Sequence, residues 1–328
     1  PGNRTTPIVV AIVAACGGVI PKTSSRAITS PAGTADVMET LAPVDLDLRS
    51  MRRVVESEGG CIAWGGAVAL SPADDVLIRV ERPLDLDSEG QLVASVLSKK
   101  AAAGSTHVVI DMPVGPTAKI RTQEAAASLR SLFESVAERV GLRLRVVETD
   151  GRAPVGRGIG PALEAHDVLA VLRQTSDAPP DLRDRALALA GSVLELTDFA
   201  AEGTGKAIAS QTLRSGRALM KFERICEAQG GLRQPPVASQ TRAVVAQAEG
   251  IVTSIDNRRL ARAAKLAGAP RDAAAGIALE VDIGDVVERG QPLFTLHADS
   301  LGELAYAAEY VNSQSPIVTV GPESGESP

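Results

Sequence analysis

The stretch Lys22-Thr23-Ser24-Ser25-Arg26-Ala27-Ile28-Thr29-Ser30-Pro31-Ala32-Gly33-Thr34-Ala35-Asp36 sets six hydroxyls and a guanidinium in one short loop. An apolar run ends at Gly17-Gly18 ahead of it. Ser30-Pro31 reads as an N-cap followed by proline at the first helical position, so the loop is expected to feed a helix N-terminus. Open backbone N–H groups at such a terminus favour a bound phosphate. The same Ser and Thr also suit plain caps and turns, and spacing alone supports both readings.

Working outward, Thr6-Pro7 followed by Ile8 to Cys16 reads as a capped buried helix, although the apolar run alone fits a strand equally. Val19-Ile20-Pro21 reads as a short buried strand entering the hydroxyl loop. His107 to Asp111, set off by Gly104 and Pro113, has the unbroken apolar character of a buried parallel strand. Leu129, Leu132, Phe133, Val136 and Val140 recur at helical spacing behind Thr122. Leu142, Leu144 and Val146 then alternate as a strand that runs into the glycines 156, 158 and 160, with a helix from Pro161. This is the grammar of an α/β domain. The glycine turn lacks the Gly-x-Gly-x-x-Gly pattern of a dinucleotide site and reads as a tight turn.

Ser88-Glu89-Gly90-Gln91 is a capping box, which starts a helix running to about Ala102. On it Leu92, Val93, Val96 and Leu97 form an apolar stripe, while Gln91, Ser95 and Lys99 repeat every fourth residue on another face. That polar stripe suits a cleft or a solvated face. Asp87, just before the helix, is placed as an N-terminal cap by spacing alone. Lys119, past the strand of Asp111, reads alone as an ordinary surface lysine.

A mostly helical stretch runs from Pro180 to about Gly230, and 231–246, with its paired prolines, reads as a linker. Strands at Ile251–Ile255, Ile277–Ile283 and Leu293–Leu296 and a helix at Asn257–Ala267 make an α+β domain over 247–320. Its Gly-Asp and Gly-Gln-Pro turns suit a carrier fold, but no Met-Lys-Met-like hairpin offers a lysine for modification. Residues 321–328 read as a disordered tail.

At 328 residues with 45% hydrophobic content the chain can bury two cores, and with 2% aromatics those cores are aliphatic. The net charge of −6, without a basic stripe interleaved with aromatics, argues against nucleic acid as a partner. Cys16, Cys61 and Cys226 lie far apart in largely apolar settings, which suits reduced thiols in a cytoplasm, and with three scattered histidines they give no metal-ligand spacing. No run of about 18 or more apolar residues and no signal-peptide pattern appears, so no membrane partner is expected.

The hydroxyl loop, with its S-S-R-A-I-T-S-P-A-G-T-A-D signature, resembles the phosphate-binding segment of the thymidine phosphorylase family, in the branch that includes AMP phosphorylases and type 2 thymidine phosphorylases. The match continues through Arg79–Pro83, Ala94–Lys100, Pro154–Pro161 and Glu249–Val252 to His297. The resemblance implies an α/β, mixed-sheet domain of the nucleoside phosphorylase and phosphoribosyltransferase type over 1–230, with an inserted helical segment at about 72–102, followed by the C-terminal α+β domain. It implies a pentosyltransferase that splits thymidine, or alternatively AMP, with inorganic phosphate and no metal or organic cofactor. A phosphate site of Ser24, Ser25, Arg26, Thr29, Ser30 and Thr34 follows, with Ser95 and Lys99 on the base, Lys119 on a nucleotide and Asp87 as proton donor. Arg79 or Arg82 fills the place of the family's base-contacting arginine. The resemblance also implies a homodimer or larger assembly, and a glycine-containing phosphate loop with a lysine that lies before Pro1 in the family. Two competing readings are a magnesium-dependent phosphoribosyltransferase of the anthranilate type, which calls for an acidic pair near the phosphates, and a non-catalytic carrier or binding module.

Overall fold

The computed structural model describes residues 3–27, 30–68 and 89–322. Its first half is built around helix α1, Thr5–Ala15, an 11-residue segment in which Ile8, Val10, Ala11 and Ile12 are all fully buried. A helix that is apolar on every side must be covered on every side. The cover comes from α7 (Pro161–Arg173), α8 (Pro180–Leu196), α9 (Gly205–Arg214) and α10 (Arg217–Gln229).

After α1 the chain turns at Gly17, whose φ of 93° suits glycine, and enters β1, Ile20–Ser24. β1 pairs in parallel with β2, Gly60–Trp64, in the register Ile20↔Gly60 to Ser24↔Trp64. Parallel neighbours need a crossover, and here it carries α2 (Thr34–Glu39) and α3 (Leu48–Glu58). A single turn, α4 (Gly65–Val68), follows β2. The expected strand at Val19–Pro21 is thus shifted toward the loop. Val19 is exposed, and the strand takes in Lys22, Thr23 and Ser24.

The second parallel pair is β3 (His107–Val114) with β4 (Arg143–Asp150), in the register His107↔Arg143 to Val114↔Asp150. Helix α6 (Gln123–Arg139) crosses between them, its first turn capped by the Thr122 hydroxyl, which accepts from Ala125 N at 3.2 Å. Helix α5 (Glu89–Ala102) lies against α6. The expected apolar stripe closes this small core: Val93 and Leu97 are buried with Val108, Met112, Leu129 and Phe133, and Leu92 and Val96 flank them.

The glycine turn joins the two halves. Gly158–Ile159 form β5, which pairs antiparallel with β8 (Gly276–Leu279). At Gly160 a β-carbon would lie 2.3 Å from the Ala275 carbonyl oxygen, so only glycine permits the approach. The turn's own N–H groups are satisfied by a carboxylate: Asp167 Oδ2 accepts from Arg157 N at 2.9 Å and Gly158 N at 2.8 Å. Buried Arg4 bonds the same oxygen at 2.7 Å and sits 3.6 Å from Glu164, whose carboxyl is pushed up by burial. This charge cluster ties the first residues of the chain to α7.

The C-terminal half contains two antiparallel sheets over an aliphatic core. One has the order β5-β8-β10-β6, with β6 at Gln240–Val245 and β10 at Pro292–Ala298; the other has the order β11-β7-β9, with β7 at Gly250–Ile255, β9 at Val286–Val287 and β11 at Val318–Gly321. Helices α11 (Asn257–Leu266) and α12 (Leu301–Ser313) pack on each other. β6 corrects the expected linker at 231–246, because Gln240 to Val245 hydrogen-bond along β10 as an edge strand. Gly321 likewise belongs to β11, paired with Ile251, and not to a tail.

Candidate active site

β1 delivers Ser24 to the carboxyl end of a parallel pair, where ligands bind in open α/β sheets. The loop then closes on itself through glycine. A β-carbon on Gly33 would lie 2.6 Å from the Ser25 carbonyl oxygen and 2.8 Å from Ala27 N. Inside the closed loop, Asp36 Oδ2 accepts from Ala27 N at 2.6 Å and from Gly33 N at 2.8 Å. Gly33, extended at φ −105° and ψ 165°, is therefore the N-cap of α2. This corrects the expected helix start at Ser30-Pro31. The Ser30 hydroxyl donates to the Ala32 carbonyl at 2.8 Å, and the helix begins only at Gly33, whose N–H Asp36 reaches back to accept.

Arg26 is occupied by carboxylates. It bonds both Glu39 oxygens, Nη2 to Oε1 at 2.9 Å, and has Asp36 and Asp45 oxygens at 3.5 Å. Its guanidinium also lies 4.8 Å from the Trp64 ring centre. The hydrogen bond from Arg26 holds the Glu39 carboxyl below its ordinary range. Arg26 thus braces the loop through these carboxylates. The hydroxyls are less committed: Ser24 Oγ has a 3.4 Å contact with the Ser25 carbonyl, and the Thr34 hydroxyl has one of 3.4 Å with the Asn3 carbonyl. At that length a hydrogen bond is weak.

Lys22 enters the loop from β1, and the sequence assigns it no role. Alternate residues of a strand share a face, so Lys22 stands on the Ser24 face of β1. It is half-buried, and its ammonium donates to the Thr23 carbonyl at 2.5 Å. Burial, reinforced by the charges of Lys100 and Lys99, brings its pKa down to about 7. Both lysines stand on the last turn of α5, where Lys99, expected on the base, is half-buried, with half-buried Ser95 one turn earlier on the same helix. The period-two signal for Lys22 is present in the sequence, but the expected strand ends at Pro21.

Lys119 occupies a different loop, Gly115 to Ile120, at the carboxyl end of β3, where it is exposed. Next to that loop a polar cavity of about 380 Å³ is lined by Val114, Gln123, Glu148, Thr149, Asp150 and Arg152. Asp87, Thr29, Arg79 and Arg82 lie outside the described residues, as do residues 72–88 of the helical segment expected at about 72–102. Among the described residues no helix is long and apolar enough to cross a membrane.

Comparison with known proteins defines the class first. Residues 3–219 match the a/b domain of a glycosyl transferase family, and residues 251–318 match the pyrimidine nucleoside phosphorylase C-terminal domain. Two solved structures share the fold. Anthranilate phosphoribosyltransferase from Thermus thermophilus aligns with TM-score 0.54 at 18% identity over 69% of this chain and 73% of that one. The enzyme from Saccharomyces cerevisiae aligns with TM-score 0.50 at 16% identity over 67% and 68%.

The particular family follows from closer relatives. A protein named "Putative thymidine phosphorylase" from Polaromonas sp. (strain JS666 / ATCC BAA-500) is 69% identical over 98% of this chain and 63% of its own length. A second of that name, from Chelativorans sp. (strain BNC1), is 65% identical over the same shares, 98% and 63%. The chain belongs to the thymidine phosphorylase family, and it spans about 63% of the length of these relatives.

Proposed function

We propose that the protein transfers a pentosyl group to inorganic phosphate, splitting thymidine into thymine and 2-deoxyribose 1-phosphate. The observation that carries this reading is the glycine-closed loop at the end of β1, which carries the hydroxyls of Ser24, Ser25, Ser30 and Thr34 and is braced by Arg26, with Lys22 on the Ser24 face of the strand. In this reading those hydroxyls, with Thr29 and Lys22, hold the phosphate. Arg26 serves chiefly to keep the loop closed.

Phosphorolysis breaks a C–N bond while positive charge develops on the sugar, and a fixed phosphate dianion stabilises that charge. The departing base leaves more easily when it is hydrogen-bonded or protonated. Ser95 and Lys99 address the base, and Asp87 supplies the proton. The names of the relatives support thymidine as the substrate. AMP is the second reading, favoured by the cationic Lys119 on its exposed loop.

The test is a substrate panel on the full-length gene product. Release of thymine should depend on added phosphate, with a kcat/KM for thymidine above that for AMP. An enzyme that cleaves AMP about tenfold or more efficiently than thymidine overturns the choice of substrate.

A further inference from the structure

The C-terminal domain touches the Lys119 loop through Asn257, the first residue of α11. Asn257 Nδ2 donates to Thr117 Oγ1 at 2.9 Å and to the Gly151 carbonyl at 3.1 Å, with the Arg152 carbonyl at 3.4 Å. The two carbonyls can only accept, so they fix which end of the carboxamide carries the hydrogens. The backbone N–H of Asn257 also points to Thr117 Oγ1, at 3.4 Å. Asn257 Oδ1 is buried without a hydrogen-bond partner.

The parts gathered by this side chain have little room to move against one another. Gly115 N bonds the Ile120 carbonyl at 3.0 Å, Ala118 N bonds the Gly115 carbonyl at 3.0 Å, and Gly151 N bonds the Val114 carbonyl at 2.9 Å. A β-carbon on Gly115 would lie 2.5 Å from the Gly151 carbonyl carbon. Loop 115–120 and turn 151–152 are therefore one backbone block. That block borders the polar cavity at the ends of β3 and β4. A single carboxamide from the other domain pins both of its strands.

We propose that Asn257 is a positioning residue by which the C-terminal domain sets the Gly115–Ile120 loop, and with it the reach of Lys119 toward the 5′-phosphate of a nucleotide. The inference rests on the second of the two readings given above, in which Lys119 meets AMP. Asn257 touches no reacting group in this account. It acts through Thr117, and a carboxamide is required because a carboxylate in its place would face the Gly151 and Arg152 carbonyls without a hydrogen to offer.

The experiment compares wild type with Asn257→Asp, Thr117→Val, Thr117→Ser and Lys119→Ala, by amide hydrogen exchange and by AMP and phosphate titration. The expected result for Asn257→Asp is exchange at Gly115 and Ala118 about tenfold faster or more, with α1 unchanged. AMP affinity should fall about fivefold or more, with phosphate affinity within about twofold of wild type. Thr117→Val should reproduce this, its combination with Asn257→Asp should add little, and Thr117→Ser should restore the wild-type loop. Unchanged exchange in both Asn257→Asp and Thr117→Val overturns the positioning role. A loosened loop with AMP affinity indifferent to Lys119→Ala overturns the nucleotide role instead, and assigns that failure to the Lys119 reading and not to the clamp.

Discussion

The guanidinium of Arg26 lies 4.8 Å from the centre of the Trp64 ring while its two terminal nitrogens bond Glu39. Trp64 is the single tryptophan of the chain and pairs in register with Ser24. Its emission therefore reports the loop alone. Phosphate entering beside Ser24 changes the charge next to a ring already in cation–π contact, so titration should shift Trp64 emission saturably. Arg26→Lys, which cannot bond a carboxylate with two parallel N–H groups, should reduce that response. Emission that stays constant while calorimetry shows phosphate binding would place the anion elsewhere.

Lys22 gives the site a pH dependence of defined sign. Its pKa near 7 means that the empty site loses the ammonium as pH rises through neutrality, whereas a bound dianion favours the charged form. Sulfate, which does not itself titrate in this range, should bind most tightly below pH 7 and weaken by up to about tenfold per pH unit above it. Lys22→Met should bind sulfate weakly with a flat profile. The same shift acts on stability: between about 7 and the ordinary 10.5 the unfolded chain holds more protons than the folded one, so stability climbs with pH there. Lys22→Met should abolish that climb, and equal slopes for the two proteins in urea unfolding would contradict the assignment.

Much of the frame was legible because local signals agreed with the fold. Thr122 caps α6 as its position before the apolar repeat implies, and the stripe Leu92, Val93, Val96, Leu97 packs as expected. Other signals were present but unread. Ser300-Leu301-Gly302-Glu303 is a capping box, and the Ser300 hydroxyl accepts from Glu303 N at 3.2 Å to start α12. The start of α2 was not legible, because Asp36 reaches back nine residues to Ala27 N, a choice set by loop closure at Gly33. Nor was the engagement of Arg26, since Glu39 reaches it from the last turn of α2 and Asp45 through the path of the chain after that helix.

The cluster of Arg4, Asp167 and Glu164 is almost fully shielded from solvent. Arg4→Met leaves two buried carboxyls without their cation and the glycine turn without its anchor. Loss of one partner of such a cluster costs about 3–5 kcal/mol. Urea unfolding should show a loss of unfolding free energy of that size, and a value within error of wild type would show that the cluster contributes nothing to the fold.

Asp87 separates chemistry from capping. As proton donor, its replacement by asparagine in the full-length enzyme should lower kcat by about 10²- to 10⁴-fold with little change in stability. Asparagine caps a helix as well as aspartate does. A variant with near-normal turnover leaves Asp87 as a cap only.

The central claim is that the loop closed by Gly33 holds inorganic phosphate. Ser24 stands at the end of β1, where its hydroxyl is held, among the described residues, only by a 3.4 Å contact. Steady-state kinetics of Ser24→Ala in the full-length protein, with phosphate and thymidine varied separately, tests this most directly. The KM for phosphate should rise about tenfold or more while that for thymidine stays within about twofold of wild type, as expected when one hydrogen bond to a charged group is removed. An unchanged KM for phosphate would contradict it.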